Sequence, residues 1–162
     1  MMKVERSEWI ESLGGPLVML PVSKRKMWAG ARTNDYDEAC SIYSSSGIIP
    51  RDWGDVVVLA DEPLRTCVIL RPEGPMIVRW RYAPDEEVLL QAVSEFEPGL
   101  HSPVERVSFR SQAEPYVIVD SVEDASLARG IEVRLSDGVS RMVSYEVNDK
   151  QRQVAVLVRV FE

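Results

Sequence analysis

Three short apolar runs follow one another between residues 56 and 82, and they constrain the fold more than any other feature of the chain. Residues 56–60, 66–70 and 76–82 are rich in β-branched and aromatic side chains, which favour strands. The links between them contain Asp61-Glu62-Pro63 and Pro72-Glu73-Gly74-Pro75, which are typical of turns. Because such short links leave no room for a crossover, the pattern predicts antiparallel pairing of successive strands.

Further strands are predicted at residues 17–20, 104–110, 116–120 and 153–161. The last run is apolar on both sides until Arg159, which predicts a central place in a sheet. Asp137-Gly138 favours a two-residue turn, so residues 131–136 and 139–147 are expected to form a hairpin. Its predicted register places Ser136 opposite Val139, Val133 opposite Met142, and Arg134 opposite Arg141 on an exposed side.

Helical spacing is clearest after Pro84, where apolar residues recur from Val88 to Phe96. They predict one main amphipathic helix at about 85–97, with Asp85, Glu86 and Glu87 near its positive end. A shorter helix is expected from Asn34 or Asp35 to about Ser44 with Cys40 pointing inward, and a short helical connection at 122–128. The predicted fold is therefore α+β, a mainly antiparallel twisted sheet with one main helix and one or two short ones.

Length and composition set the broad class of protein. A chain of 162 residues, 45% hydrophobic and 28% charged, is expected to form a single domain over 1–162. Two distant cysteines without a signal-like leader predict a reducing, cytoplasmic setting. No apolar run approaches the roughly 20 residues of a membrane-spanning helix, so no membrane partner is expected.

The residues offer little for catalysis. His101 is the only histidine, it lies in a predicted loop, and no Gly-x-Ser-x-Gly motif accompanies it. Cys40 and Cys67 lack the spacing of a zinc site, and the acidic groups at 35–38 and 61–62 fit helix caps and turns better than cation sites. We therefore predict no catalytic, metal or cofactor site and no enzyme.

The basic run Lys24-Arg25-Lys26, followed by Trp28, is the one local hint of nucleic-acid binding. Nothing nearby repeats this basic and aromatic pattern, and the chain carries a net charge of −7. We expect solvated bases, a packed Trp28, and no nucleic-acid partner.

One stretch combines an aromatic anchor, a Gly-Gly-Pro break and a short apolar run: residues 9–21, WIESLGGPLVMLP. With Trp28-Ala29-Gly30, Asp35-Tyr36-Asp37-Glu38-Ala39-Cys40, Asp61-Glu62-Pro63 and Val78-Arg79-Trp80, it resembles the immunity protein 21 family of bacterial polymorphic toxin systems. The resemblance covers residues 9–82 best. It implies a cytoplasmic antitoxin that binds and neutralises a cognate toxin domain stoichiometrically.

The residues that carry this resemblance are expected to be structural. Gly14 and Gly15 permit a positive φ before Pro16 fixes the entry into a strand. The expected structural set is Trp9, Gly14, Gly15, Pro16, Trp28, Asp61, Glu62, Pro63 and Trp80.

Charge distribution predicts where a partner binds. Residues 83–124 contain ten acidic and two basic residues, so the acidic excess lies in the middle of the chain. Such a field attracts a basic protein surface and repels nucleic acid. The predicted toxin-binding residues are Glu86, Glu87, Glu95, Glu97, Glu123 and Asp124.

Two alternatives remain open from the residues alone. One is a small-molecule-binding or unrecognised enzymatic α+β domain with a pocket near Trp80, Arg79 and Arg81. The other is a scaffold or assembly subunit that associates with itself. The identity and activity of the toxin, the part of it that is covered, and the oligomeric state are not encoded in these patterns.

Overall fold

The structure, a computed structural model, describes residues 5–135 and 137–162 and contains two five-stranded antiparallel sheets. Sheet I comprises β1 (Leu17–Pro21), β2 (Ser46–Arg51), β3 (Gly54–Leu59), β7 (Pro115–Asp120) and β8 (Ile131–Arg134). Its spatial order is β2-β3-β1-β7-β8. Sheet II comprises β4 (Arg65–Arg71), β5 (Gly74–Tyr82), β6 (Glu105–Ser111), β9 (Gly138–Asp149) and β10 (Val154–Phe161), in the order β4-β5-β10-β9-β6.

Most strands lie where the apolar runs predicted them. β10 is paired on both sides, with β5 and β9, which confirms its central position. β1 is likewise the middle strand of sheet I, between β3 and β7. The sequence analysis missed β2, because Gly47 and Pro50 argue against a strand; β2 is an edge strand, where a proline withholds no needed donor.

The prediction of one sheet is wrong, because the link between β3 and β4 carries the chain from sheet I to sheet II. The predicted hairpin at 131–147 is also wrong, because its two strands, β8 and β9, belong to different sheets. β8 pairs with β7, placing Val133 opposite Tyr116, while β9 pairs with β6, placing Met142 opposite Val107. Ser136, one residue of the predicted register, lies outside the described residues.

Arg134 and Arg141 are both exposed, but they belong to different sheets and do not face each other. The Asp137-Gly138 step, with φ +103° at Gly138, connects the two sheets and forms no hairpin turn. A Gly that permits a tight turn does not dictate which strands flank it, so packing decided the outcome.

Three apolar clusters define the layers. The central cluster takes side chains from both sheets, among them Leu17 and Ile118 from sheet I and Ile77 and Met142 from sheet II. A second cluster lies on the outer face of sheet II, and a third on the outer face of sheet I around Trp28. Strands buried on both faces explain why the apolar runs alternate so little.

Short helical segments cover the two outer faces. α1 (Asp35–Cys40) and two 3₁₀ turns (Val22–Met27 and Gly30–Arg32) lie over sheet I, and α2 (Glu86–Ser94) lies over sheet II. α2 lies within the predicted range 85–97 but has only nine residues, so the fold contains a few short helices and the prediction of one main amphipathic helix is wrong. Cys40 is exposed, so its predicted inward orientation is wrong; Ala39 is the buried residue of α1.

The predicted helical connection at 122–128 is also wrong, since this segment is a series of turns. Within the described part of the chain, no helix has the length and apolar character needed to cross a membrane.

Candidate partner-binding surface

The segment that contains α2 carries an excess of acidic side chains. Residues 83–104 contain five acidic side chains and no lysine or arginine. Asp85 caps the helix by accepting a hydrogen bond from the Val88 backbone N–H at 2.9 Å. Leu89 and Val93 are buried against sheet II, which turns Glu87 toward solvent. Packing therefore fixes the orientation of the acidic face.

Glu87 and Glu97 are the free acids of this surface. Both are exposed, and neither side chain has a hydrogen-bond or ion-pair partner among the described residues. Exposed, unpaired acidic side chains suit the long-range attraction of a basic protein.

Glu86 was also predicted to contact the partner, but its carboxylate binds two residues of its own chain. Its Oε1 accepts a hydrogen bond from Trp9 Nε1 at 2.5 Å and pairs with Arg6 Nη2 at 2.6 Å. These contacts hold the N-terminal arm, residues 5–12, against α2. The arm also runs beside β4, where Ile10 exchanges backbone hydrogen bonds with Thr66 at 2.9 Å.

Glu95 is engaged as well. Its carboxylate binds Arg152 Nη2 at 2.7 and 3.0 Å and accepts a hydrogen bond from Gln91 Nε2 at 3.1 Å. The hydrogen bond from Arg152, followed by that from Gln91, lowers the pKa of Glu95. Arg152 Nε lies 3.4 Å from Asp149 Oδ2, so one guanidinium joins α2 to the β9–β10 turn.

Two open hollows lie along this joint. The hollow of about 320 Å³ at the C-terminal end of α2 contains the Phe96 and His101 rings, whose centres are 4.9 Å apart. Its lining is Ala92, Glu95, Phe96, His101, Val147, Asn148, Asp149, Lys150 and Gln151. The second hollow, of about 370 Å³, is lined by Glu87, Val88, Gln91 and Arg152. Together the two hollows form a shallow depression beside the acidic residues of α2.

Glu123 and Asp124 lie on the other side of the molecule. Their segment packs through Ala125 onto the outer face of sheet I, with the two sheets between it and α2. Glu123 is exposed, whereas Asp124 accepts hydrogen bonds from Ser126 and pairs with Arg32 at 3.1 Å. The bonds from Ser126, with Arg32 adding to them, lower the pKa of Asp124. The structure thus separates the six predicted residues into a group of four and a group of two.

Two tryptophans, Trp9 and Trp80, form a tilted aromatic pair beside α2. Trp9 and Trp80 have ring centres 5.4 Å apart, and the Arg65 guanidinium lies 5.4 Å from the Trp9 ring and 4.8 Å from the Trp80 ring. Cation–π contacts of this kind contribute about 0.5–1 kcal/mol at exposed sites. The cluster fastens the arm to the face of sheet II that also carries α2.

The Gly-Gly-Pro segment and Trp28 have structural contacts. Gly14 has φ +127°, and a Cβ added to Gly15 would lie 2.7 Å from the Tyr36 ring. Pro16 accepts a backbone hydrogen bond from Ser121 at 3.1 Å. Trp28 is fully buried, as predicted, and its Nε1 donates to the Ser121 carbonyl at 3.0 Å.

Asp61 is the centre of a buried charge cluster between the sheets. Its Oδ1 binds Arg79 Nη1, and Arg159 Nη2 lies 3.1 Å away. Both arginine side chains are 0% exposed and that of Asp61 is 8% exposed. Arg79 also donates to the Glu62 carbonyl at 2.9 Å, whereas the Glu62 and Pro63 side chains are exposed.

The sequence analysis missed Arg159 as a partner of Asp61. The available signal was a single charge inside an otherwise apolar strand, since a fully buried charge is normally paired. Burial lowers the pKa of Arg79 to about 10, with Asp61 opposing that shift, so the guanidinium keeps its charge at neutral pH. We call these residues, Asp61, Arg79 and Arg159, the Asp61 cluster.

The alternative pocket near Trp80, Arg79 and Arg81 does not assemble. Strand alternation places Trp80 on the outer face of sheet II and Arg79 between the sheets. Arg81 lies 3.7 Å from Glu146 in an exposed ion pair. Within the described ranges, no three His, Cys, Asp or Glu side chains lie together as metal ligands would.

Comparison with protein families gives one match. The family described as immunity protein 21 matches residues 8–152 of the 162. This range extends the resemblance through β6, β7, β8 and β9, beyond residues 9–82. Comparison with curated proteins and with solved structures finds no match.

Proposed function

Because the chain belongs to the immunity protein 21 family, we propose that it is a cytoplasmic, non-enzymatic antitoxin that neutralises a cognate toxin domain by binding it stoichiometrically. Membership implies an immunity protein, and the acidic face of α2 is the observation that supports this way of acting. Binding and steric exclusion need no cofactor, metal or catalytic group in the inhibitor.

We place the toxin-binding surface on α2 and the adjoining β9–β10 turn. Glu87 and Glu97 supply unpaired charge there, and the two hollows supply relief for side chains of the partner. The opposite side is less suited to a basic partner. Residues 22–44 and 121–130, which cover sheet I, contain five acidic and five basic side chains, and so have no net charge.

The mechanism has two steps. The field of the α2 face first draws a basic toxin surface into contact, which raises the association rate. Short-range packing in the hollows then fixes the orientation and slows dissociation, where most differences in affinity arise. Glu86 and Glu95 act through the fold, by holding the arm and the β9–β10 turn in place.

The decisive experiment is co-expression with the product of the neighbouring reading frame. The wild-type chain should restore growth to cells that express this toxin, and the purified pair should form a complex of one-to-one stoichiometry. Absence of both rescue and binding would refute the proposal.

The surface is tested by reversing the free acids. Glu87→Lys with Glu97→Lys should slow association at low salt by about tenfold or more, and the difference should shrink at high salt. Glu123→Lys with Glu132→Lys changes two exposed acids on the sheet I side, and therefore the net charge by the same amount; it is the matched control and should change the association rate little. Equal effects of the two variants would show that only net charge matters.

A further inference from the structure

We propose that the hollow at the C-terminal end of α2 seats a lysine or arginine side chain of the toxin; this inference rests on the proposed function and specifies its chemistry. The hollow is shallow and widely open to solvent, with a volume of about 320 Å³. That space suits one long side chain and is small for a folded segment.

The lining matches the two ends of such a side chain. Ala92, Phe96 and Val147 provide an apolar floor for the aliphatic stem of a lysine or arginine. The His101 ring lies beside the Phe96 ring, with the ring centres 4.9 Å apart, and adds aromatic surface to this lining. Glu95 and Asp149 are the two acidic residues of the lining.

The contacts of Arg152 show that the carboxylates of Glu95 and Asp149 bind a guanidinium. Arg152 contacts Glu95 at 2.7 Å and Asp149 at 3.4 Å from the neighbouring side of the hollow. A carboxylate has about four acceptor positions, so both groups retain capacity for a second cation. Lys150 is the one basic lysine or arginine side chain in this lining, and its charge opposes the binding of a second cation. It is exposed and has no ion-pair partner among the described residues, so its flexible four-carbon side chain can turn away from the hollow.

The charge of the surrounding segment favours a basic occupant over an anionic one. Glu86 and Glu95 pair with Arg6 and Arg152, but Asp85, Glu87 and Glu97 have no arginine or lysine partner among the described residues. These three carboxylates disfavour phosphate or carboxylate groups of a partner.

The experiment uses His101 as reporter, since it is the only histidine and its ring signals in NMR spectra are unambiguous. Hexalysine and hexa-arginine peptides are titrated into the full chain, with hexaglutamate as the negative control. The basic peptides should shift the His101 ring signals saturably. Asp149→Asn should weaken this binding by roughly threefold or more, and Lys150→Glu should strengthen it by a similar factor.

Glu123→Gln, on the opposite side, is the control and should leave the peptide affinity unchanged. Circular dichroism and thermal melting establish that each variant is folded, and Lys150→Glu removes no hydrogen bond or ion pair of the Lys150 side chain among the described residues. Unmoved His101 signals, or equal affinity in all variants, would overturn the inference.

Measurements of toxin binding distinguish a failure of this inference from a failure of the proposed function. If the wild-type chain neutralises the toxin and Asp149→Asn and Lys150→Glu bind it equally well, the seat for a basic side chain is refuted while the function stands. If the wild-type chain does not bind the toxin at all, the proposed function itself fails.

Discussion

Asp61→Asn should destabilise the protein severely, because it removes the only carboxylate that the Asp61 cluster offers to two buried guanidiniums. Arg79 and Arg159 are both 0% exposed and both bind Asp61 Oδ1. Breaking a buried ion pair by removing one partner costs about 3–5 kcal/mol, since the other charge stays buried without compensation. Here two charges are left, so we expect a loss at the upper end of that range.

The expected loss is a large fraction of the free energy of unfolding of an ordinary domain, which is about 5–15 kcal/mol. Urea unfolding at neutral pH, followed by tryptophan fluorescence and circular dichroism, measures it directly. The asparagine side chain has nearly the same volume as aspartate, so a cavity does not contribute. High salt should rescue little, since buried pairs are screened weakly.

Glu62→Gln is the matched control, because the exposed neighbouring carboxylate should change the unfolding free energy by no more than about 0.5 kcal/mol. Adding Arg159→Met to Asp61→Asn should recover part of the loss by removing one uncompensated charge. A cost below about 1 kcal/mol for Asp61→Asn, or no recovery in the double variant, would refute the reasoning.

Three further outcomes follow from other contacts. A thiol reagent should modify exposed Cys40 in the folded protein and reach Cys67 only on unfolding, because burial raises the pKa of Cys67 to about 12; mass spectrometry of the labelled chain checks this, and rapid labelling of both would contradict it. Glu86→Gln should loosen the arm, visible as faster hydrogen exchange at the Ile10 amide, whereas unchanged protection would show that the strand contacts alone hold it. Gly30→Ala should lower stability by about 1–3 kcal/mol in thermal melts, since Gly30 has φ +61° and its Cβ would collide with the Val122 carbonyl; an unaltered melt would disprove that strain.

Local pattern predicted the elements better than their arrangement. β10 was placed centrally because it is apolar on both sides, and α2 because its apolar residues recur at helical spacing. Those signals depend on each segment's own burial. Which strands share a sheet depends on distant partners, so the apolar runs alone did not distinguish two packed sheets from one.

The candidate site shows the same division. Residue type alone marked Glu86, Glu87, Glu95 and Glu97 as acidic and near one helix, which the structure brings together. Whether a carboxylate is free depends on what the fold brings to it: Trp9 reaches Glu86 from 77 positions away, and Arg152 reaches Glu95 from 57. A charge count along the sequence cannot register either partner.

The arm beside β4 has a practical consequence for handling the protein. Backbone groups of this edge strand hydrogen-bond to Glu5, Ser7 and Ile10, and a bare strand edge is a template for another chain's strand. Truncation from the N-terminus would therefore uncover a row of donors and acceptors and invite aggregation. Affinity tags for purification belong at the other end of the chain.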